Sequence, residues 1–345
     1  MAEVLVLLDS QDQQVRSATA ELLTLANQLG QPVALWAAAD EPSAQLQQEL
    51  QNWGATRVDW LRGPNGEDLS AYLARPLAHG VAQVMSEASP RAVLATSNFA
   101  NKEFAAHLAY LTDSGVLTDL AGVEVGDELI GHQTIFAGTW NSSSTITSGT
   151  PILLVKPGAI DIPAPAGSDE EQAAGDAGAS EQAGPAGGLA VREVSVANAL
   201  EGRSARIVER TALPEASGPD LVSATRVVVG GRGTEGEFAP VRELAQELGA
   251  AVGATRVATD EGWIDPATQV GQTGVTITPR LYIGAGVSGA VHHLSGMQAS
   301  EVIVAINADS DAPLLEMADF GVVGDMHQIL PQAVEELRRL REQSS

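Results

Sequence analysis

Residues 280–325 read RLYIGAGVSGAVHHLSGMQASEVIVAINADSDAPLLEMADFGVVGD. A short apolar run over residues 281–283 leads into the glycine-rich turn 284–289, and a second apolar run over residues 302–306 ends at Asn307. A strand, a glycine turn and a helix in this order form a pocket for a phosphate. Small residues let backbone N–H groups approach the anion, and the helix N-terminus adds partial positive charge. The stretch therefore predicts an α/β unit that binds a nucleotide-type cofactor.

The same alternation of apolar runs with helical patterns extends outward from that stretch. VLVLLD at residues 4–9 and AVLATS at residues 92–97 are two such runs near the N-terminus, and RVVVGGRG at residues 226–233 opens a second series. Strands that alternate with helices are typical of a mostly parallel sheet covered on both faces. We therefore expect an α/β fold with two domains.

The predicted domains span residues 1–213 and 221–345, with a hinge over residues 214–220. After Asp113 the β-branched runs GHQTIFAGTW, SSSTITSG and PILLVKPG add strands to the first domain. Residues 163–188 are nearly all Ala, Gly, Pro, Ser, Gln and acidic residues, so they cannot bury enough apolar surface to offset their ordering entropy. We expect them to form a flexible low-complexity insertion.

Two strand-like runs follow the insertion. They cover residues 189–196 and residues 205–211. Both are short and rich in apolar residues, and we expect them to complete the sheet of the first domain.

The composition excludes several classes of function. The chain of 345 residues has no cysteine, which excludes disulfides, thiolate catalysis and cysteine-held metal clusters. Its formal net charge of −25 argues against nucleic acid as a partner, because binding to phosphates needs a basic face. No window approaches about 18 uninterrupted apolar residues, and the N-terminus lacks the features of a secretory signal. We therefore expect a cytoplasmic protein that does not insert into a membrane.

The turn GAGVSG at residues 284–289 matches the G-x-G-x-x-G pattern of dinucleotide-binding folds, after a strand and before a helix. An NAD site also wants an acidic residue about 20 residues further on, to hold a ribose hydroxyl. Here the next strand ends in Asn307, followed by Asp309, and this departure weakens an NAD interpretation.

Three basic side chains near the glycine turns are candidates for contact with a cofactor. Arg232 lies between glycines at the end of an apolar run, where a guanidinium suits a phosphate. His292 and His293 point about 100° apart on a helix, so we expect one at the surface and one at the edge of the core, with one able to donate to a cofactor. Metal-binding pairs want i, i+4 spacing, and the sequence has no nucleophile elbow. We therefore predict no metal ligands and no catalytic residues.

Five motifs in the C-terminal part of the chain occur in a fixed order at short intervals. They are GGRG, GATRVATDEGW, QVGQTG, PRLYIGAGVSGAVHHLSGM and IVAINADSDAPLLEMADFGVVGD. This series resembles the alpha subunit of electron transfer flavoprotein and covers the chain from about Thr225 onward. The N-terminal domain is similar to that of the family more loosely.

The resemblance implies a Rossmann-like FAD-binding second domain, a heterodimer with a beta subunit, and electron transfer without substrate turnover. Acyl-CoA or other flavoprotein dehydrogenases would be the donors, and a membrane quinone oxidoreductase would be the acceptor. Two alternatives stay open on the sequence: an NAD-dependent oxidoreductase that uses the GAGVSG turn, and a structural subunit that has lost its cofactor.

The resemblance also implies a set of residues in contact with FAD. These are Arg232, Thr255, Arg256, Val270, Gly271, Gln272, Thr273, Ser288, Gly289, Ala290, Val291, His292, His293, Asn307, Asp325 and Met326. Thr273 would bond near N5 of the flavin, and Arg256 together with a donor such as His293 would stabilise negative charge on the reduced flavin. Asn307 and Asp325 would hold the adenosine half.

Overall fold

The computed structural model describes most of the chain. The described residues are 2–8, 13–135, 140–162, 188–200, 204–209, 218–219, 221–222 and 224–344. The backbone divides into two compact units, one built from residues 1–133 and 142–211 and the other from residues 134–141 and 212–345. Nearly all of the predicted insertion over 163–188, and all of the predicted hinge over 214–220 except residues 218–219, lie outside the described residues.

A sheet formed mainly by the first unit has, in the described part of the chain, nine strands in the order β7-β6-β5-β8-β4-β1-β2-β3-β9. These strands are β1 (Glu3–Leu7), β2 (Gln31–Trp36), β3 (Arg57–Arg62), β4 (Ala92–Thr96), β5 (Val116–Val125), β6 (Leu129–Ile135), β7 (Trp140–Thr145), β8 (Ile152–Val155) and β9 (Ala190–Ser195). The pairs β1–β2, β1–β4, β2–β3, β3–β9, β4–β8 and β5–β8 are parallel, and β5–β6 is antiparallel. The predicted α/β class with a mostly parallel sheet and added strands is thereby confirmed.

Helices cover this sheet on both faces. They are α1 (Ser17–Leu29), α2 (Ala44–Asn52), α3 (Ala74–Ala88) and α4 (Phe99–Thr112). Strand β1 shows why: Val4 and Val6 pack into one hydrophobic core, whereas Leu5 and Leu7 pack into the other. Alternate side chains of a strand point to opposite faces, so a continuous apolar run needs a core on each side. Asn98 begins α4 by accepting a hydrogen bond from the N–H of Asn101 at 2.8 Å.

The strand predicted over residues 205–211 is wrong for the described residues 204–209. The backbone there makes one isolated bridge, between Arg206 and Tyr72, instead of a ladder. Residues 210–211 lie outside the described residues. The edge of the sheet is instead formed by β9, whose Arg192 donates to the fully buried carboxylate of Asp59 at 2.7 and 2.9 Å.

The second unit contains a parallel sheet whose described strands run in the order β11-β10-β12-β13-β14. These strands are β10 (Arg226–Gly230), β11 (Ala251–Ala254), β12 (Leu281–Ala285), β13 (Val302–Asn307) and β14 (Phe320–Val323). The helices are α5 (Ala239–Leu248), α6 (Arg256–Asp260), α7 (Val291–Leu294), α8 (Pro313–Met317) and α9 (Met326–Ser344). The strand order reverses between β10 and β12, and this switch point is where open α/β sheets bind ligands.

Two features of the second unit are not evident from the sequence pattern. The segment GATRVATDEGW shows no regular periodicity, yet it contains the end of β11 and all of α6. These elements have four and five residues, too few for a periodic pattern to emerge. The helix after the glycine turn, α7, is one turn of four residues. It ends near Gly296, where a Cβ atom would lie 2.5 Å from the backbone of Gly271.

Among the described residues, none of the helices combines the length and the apolar character that crossing a membrane requires.

Candidate functional site

The turns that follow β10 and β12 lie backbone against backbone at the switch point. Gly231 N–H donates to the carbonyl of Ala285 at 3.0 Å, and Gly233 N–H donates to the carbonyl of Gly286 at 3.0 Å. Gly286 has a φ of +63°, and a Cβ atom on it would lie 2.7 Å from the Cα of Gly233. Only glycine allows this approach. The glycine turns after β10 and β12 therefore pack together as one structural unit.

A cavity of about 360 Å³ opens beside these turns, at the carboxyl ends of β10, β11 and β12. Its walls are formed by Arg232, Thr255, Arg256, Val257, Gln269, Val270, Gly271, Thr273, Val287, Ser288, Gly289, Ala290, Val291, His292 and His293. The structure thus brings together twelve of the residues predicted for the site, from segments up to 61 positions apart in the chain.

Four predicted site residues do not line this cavity. Gln272 is exposed, and its N–H donates to the carbonyl of His292 at 2.8 Å. The amide of Asn307 donates to the carbonyl of Val287 at 2.8 Å and thereby supports the glycine turn. Asp325 is exposed and accepts from the N–H of His327 at 2.9 Å at the start of α9. The side chain of the remaining residue, Met326, is buried in the core of the unit beside Leu330 and Val334.

Three lining residues were missed by the sequence analysis: Val257, Gln269 and Val287. Each lies within or directly beside a quoted motif, but none is a glycine, a cation or a hydroxyl residue. Only their position within or beside these motifs could have indicated from the sequence that they line the cavity. The side chain of Gln269 also makes a hydrogen bond within the cavity wall, since its amide donates to the hydroxyl of Thr273 at 2.7 Å.

The cavity wall contains polar groups that the described part of the chain does not satisfy. The Thr255 hydroxyl oxygen is buried and has no hydrogen-bond partner there. The backbone N–H groups of residues 287–290 likewise have no acceptor among the described residues. A buried hydroxyl without a partner is costly, and together with the N–H groups of the same wall, of which those of Ser288 and Ala290 belong to exposed residues, it indicates a ligand with hydrogen-bonding groups.

Two arginines add positive charge at the same place. Arg232 lies two residues after the end of β10, and Arg256 is the first residue of α6. Arg256 Nε contacts Asp260 Oδ2 at 3.2 Å, but both side chains are more than 60% exposed, so this pair holds the guanidinium weakly. Both cations are therefore available to an anionic ligand in the cavity.

Helix α7 and the loop over residues 270–274 are joined directly. Gly271 has a φ of +142°, and a Cβ atom there would lie 2.7 Å from the carbonyl oxygen of His292. His293 Nδ1 lies 3.0 Å from the carbonyl oxygen of Val270. These contacts fix the position of α7 against the loop, and thereby the shape of this part of the cavity wall.

The two adjacent histidines differ as the helical geometry predicts. His292 is exposed, whereas His293 is 6% exposed, and burial lowers the pKa of His293 to about 4. The ring of His293 also has protein partners at both nitrogens: Val270 at Nδ1 and the hydroxyl of Tyr282 at Nε2, 2.7 Å away. The expectation that His293 donates an N–H to a cofactor stays a prediction, and in this structure both of its ring nitrogens have protein partners.

Comparison with known proteins assigns the chain to a family. The family described as "Electron transfer flavoprotein FAD-binding domain" matches residues 220–298, and "Electron transfer flavoprotein domain" matches residues 4–177. The electron transfer flavoprotein subunit alpha of Mycobacterium leprae is 35% identical over 340 residues, which cover 98% of this chain and 99% of that protein. The subunit alpha of Bacillus subtilis is 31% identical over 344 residues, covering 98% of each chain.

The chain belongs to the family of electron transfer flavoprotein alpha subunits. This is a family of electron carriers, and FAD is its cofactor. The comparisons give no support to an NAD-dependent oxidoreductase.

The residues of the cavity suit the cofactor of this family. A flavin dinucleotide offers a pyrophosphate, which needs N–H donors and cations, and a polar ring system, which needs hydroxyl and amide partners. The unpaired Thr255 hydroxyl, the open N–H groups of residues 287–290 and the arginines Arg232 and Arg256 provide these groups. The short helix α7 contributes little macrodipole, so the individual N–H groups provide most of the attraction for the phosphates.

Proposed function

We propose that this alpha subunit holds FAD along the carboxyl edge of the second unit's sheet and passes electrons through it, without substrate turnover of its own. The observation that carries this proposal is the cavity in which Arg232, Thr255 and Thr273 meet the glycine turn, with a buried hydroxyl and consecutive N–H groups that lack partners in the described chain.

We assign parts of the cofactor to parts of this edge. The flavin ring would lie between Thr255, Thr273 and the start of α7, and the pyrophosphate would lie against residues 287–290 and Arg232. The adenosine half would extend past the ends of β13 and β14. Two strand spacings separate β12 from β14, or about 10 Å. Asn307 and Asp325 lie at those strand ends, which supports their predicted role outside the cavity itself.

The proposal includes partners. The chain would act in a heterodimer with a beta subunit, receive electrons from acyl-CoA or other flavoprotein dehydrogenases, and deliver them to a membrane quinone oxidoreductase. The relatives' designation as subunit alpha supports the first of these. The net charge of −25 supports partner surfaces with basic patches. A cytoplasmic location is part of the same proposal, and cell fractionation tests it.

The proposal is tested by co-expression with a beta-type subunit and purification of the complex. We expect flavin absorbance bands near roughly 375 and 450 nm and FAD on extraction with acid. Substitution of Arg232 by Ala should weaken the retention of FAD, whereas Arg75→Ala in α3 of the first unit is the matched control and should not. A purified complex that contains no flavin and does not take up added FAD would contradict the proposal and favour a structural subunit.

A further inference from the structure

Gln269 lies in the wall of the second unit's cavity, where the chain enters the loop over residues 270–274. Its backbone forms an isolated parallel bridge with Ala254 at the end of β11, and the N–H of Val270 donates to the carbonyl of Ala254 at 2.9 Å. The resemblance to the family does not include Gln269 among the residues in contact with FAD. The hydrogen bonds of its side chain indicate what it does.

The side-chain amide of Gln269 joins two threonines by hydrogen bonds. Its Nε2 donates to Oγ1 of Thr273 at 2.7 Å, and its Oε1 accepts from the hydroxyl of Thr259 at 3.1 Å. Thr259 is 7% exposed, and its one hydroxyl hydrogen is shared with the carbonyl oxygen of Arg256, 2.9 Å from its Oγ1. The amide therefore connects helix α6, which begins at Arg256, with the loop that contains Thr273.

A closed turn of the backbone brings Thr273 back beside Gln269. The N–H of Val275 donates to the carbonyl of Gln269 at 2.8 Å, and the N–H of Gly274 donates to the carbonyl of Gly271 at 3.0 Å. A Cβ atom on Gly274 would lie 2.1 Å from the carbonyl oxygen of Gln269, so only glycine allows the turn to close here. The bond between the two side chains is thereby supported by the backbone around it.

The amide nitrogen of Gln269 determines what the hydroxyl of Thr273 can offer to a ligand. A hydroxyl has one hydrogen to donate and two lone pairs that accept, whereas an amide nitrogen only donates. Oγ1 of Thr273 must therefore accept in its bond with Gln269. The hydrogen of that hydroxyl has no acceptor among the described residues, and Thr273 lines the cavity. It is therefore available to an acceptor in the cavity.

An oxygen in place of this nitrogen would have the opposite effect. The hydroxyl of Thr273 would then donate to that oxygen, and only its lone pairs would face the cavity. One atom of the Gln269 side chain thus decides whether Thr273 is a donor or an acceptor towards a ligand.

We infer that Gln269 is a positioning residue of the cofactor site, which donates to the oxygen of Thr273 and thereby directs the hydrogen of that hydroxyl into the cavity. The ring nitrogen N5 of an oxidised flavin is an acceptor, and hydrogen bonds to ring nitrogens tune the electronics of a flavin. The consequence for the flavin rests on the proposed function, whereas the bond between Gln269 and Thr273 is a property of the chain itself.

The hydrogen bond is tested first on the full chain in complex with its beta subunit, freed of any flavin, with ¹⁵N-labelled glutamine. The side-chain amide resonances of Gln269 are assigned by their loss in Gln269→Glu. We expect Thr273→Val to move them, and Thr276→Val, at an exposed position three residues further on, to leave them in place.

Two outcomes of this measurement would overturn the inference. One is a set of Gln269 amide resonances that Thr273→Val leaves unmoved. The other is a larger shift of the amide hydrogens from Thr259→Val than from Thr273→Val, because it would show that the nitrogen faces α6. If Thr259→Val does not fold, Thr273→Val still decides whether the bond exists.

The effect on the cofactor is tested in the same complexes with FAD that carries ¹⁵N at N5. Gln269→Glu places only acceptor oxygens beside Thr273, so we expect the N5 resonance to move to its position in Thr273→Val. In the Thr273→Val background, Gln269→Glu should move it no further. Equal shifts in both backgrounds would show that Gln269 acts through charge or packing and not through the hydroxyl. A complex that binds no FAD would contradict the proposed function but leave the amide spectra standing.

Discussion

The two units of this chain each have a cavity at the carboxyl edge of a parallel sheet, and the two cavities differ in what their polar groups do. The cavity in the first unit, at the ends of β1, β2 and β4, measures about 420 Å³ and is the larger of the two. Three of its polar side chains serve the fold: Asn98 begins α4, Asn101 donates to the carbonyl of Thr96 at 2.9 Å, and Ser70 bonds to Asp68. The cavity in the second unit contains a buried hydroxyl, open N–H groups and two arginines.

Size and position on a sheet therefore do not identify a binding site. Both cavities lie at a reversal of strand order, where doubly wound sheets bind ligands. A ligand gains most where the protein leaves donors and charges unsatisfied, because the free energy lost by burying them is recovered on binding. Among the described residues, a buried hydroxyl without a partner is found in the lining of the second cavity and not in that of the first. We therefore pair each substitution in the second unit with a control substitution in the first unit.

The largest effect is expected from Gly286→Ala. The left-handed backbone and the 2.7 Å approach to Gly233 make the new methyl group incompatible with the packed turns, at a cost of about 3 kcal/mol or more. FAD content and urea unfolding of the complex should both fall. The control is Gly122→Ala in β5, where a Cβ atom meets no neighbour within 4 Å. If the two variants lose stability equally, the backbone contact does not have the importance assigned to it.

The next effect concerns pH. His293 is neutral when folded, with a pKa of about 4 against 6.5 in the unfolded chain, so its contribution to stability is present above pH 6.5 and is lost as the pH falls towards 4. Between about pH 7 and about pH 4.5 the loss attributable to this ring is about 2.5 kcal/mol. Unfolding free energies of wild type and His293→Asn should converge over this range. Asn98→Ala, which removes the cap of α4 in the first unit but no titratable group, should run parallel to wild type. Parallel curves for His293→Asn would show that the ring is not held neutral.

A smaller loss is expected when a cation of the second cavity is removed. Arg232→Ala should weaken FAD binding by about 10- to 100-fold, since hydrogen bonds to charged groups contribute about 1.5–3 kcal/mol. Arg16→Ala, in the wall of the first cavity, should leave the affinity for FAD unchanged. Fluorescence titration of cofactor-depleted complex with FAD measures both. Equal losses from the two substitutions would erase the distinction between the cavities.

The smallest effects are expected from the hydroxyl of Thr255 and the side-chain amide of Asn98. Loss of the first should weaken FAD binding, and loss of the second should lower stability. Thr255→Val should weaken FAD binding by about 5-fold, or about 1 kcal/mol, with little loss of stability, because its hydroxyl bonds to no described residue. Asn98→Ala should cost about 1 kcal/mol of stability through the lost cap and leave FAD binding unchanged. Thr255→Ser should restore the affinity. A stability loss for Thr255→Val as large as that for Asn98→Ala would indicate that the hydroxyl serves the fold.

The features that could be predicted from the sequence are those that depend on single residues or on short runs of neighbouring residues. Glycines at positions 231, 233, 271 and 286 mark close approach or a left-handed backbone, and such requirements act on the residue itself. The apolar runs of β1, β4 and β10 reveal strands buried on both faces for the same reason. By contrast, β11 and the helices α6 and α7 have four or five residues, so their formation depends on neighbours in space.

The residues alone were enough to predict the α/β class, the glycine turns at the switch point, the family and twelve of the fifteen residues that line the second cavity. Which of those residues share the cavity, and which hydrogen-bond partners they have, depends on the folded chain. His293 is the clearest example: the partners of its two ring nitrogens, Tyr282 and Val270, lie 11 and 23 positions away in the chain. A proton's position is set by the donors and acceptors around a group, and those neighbours exist only once the chain has folded.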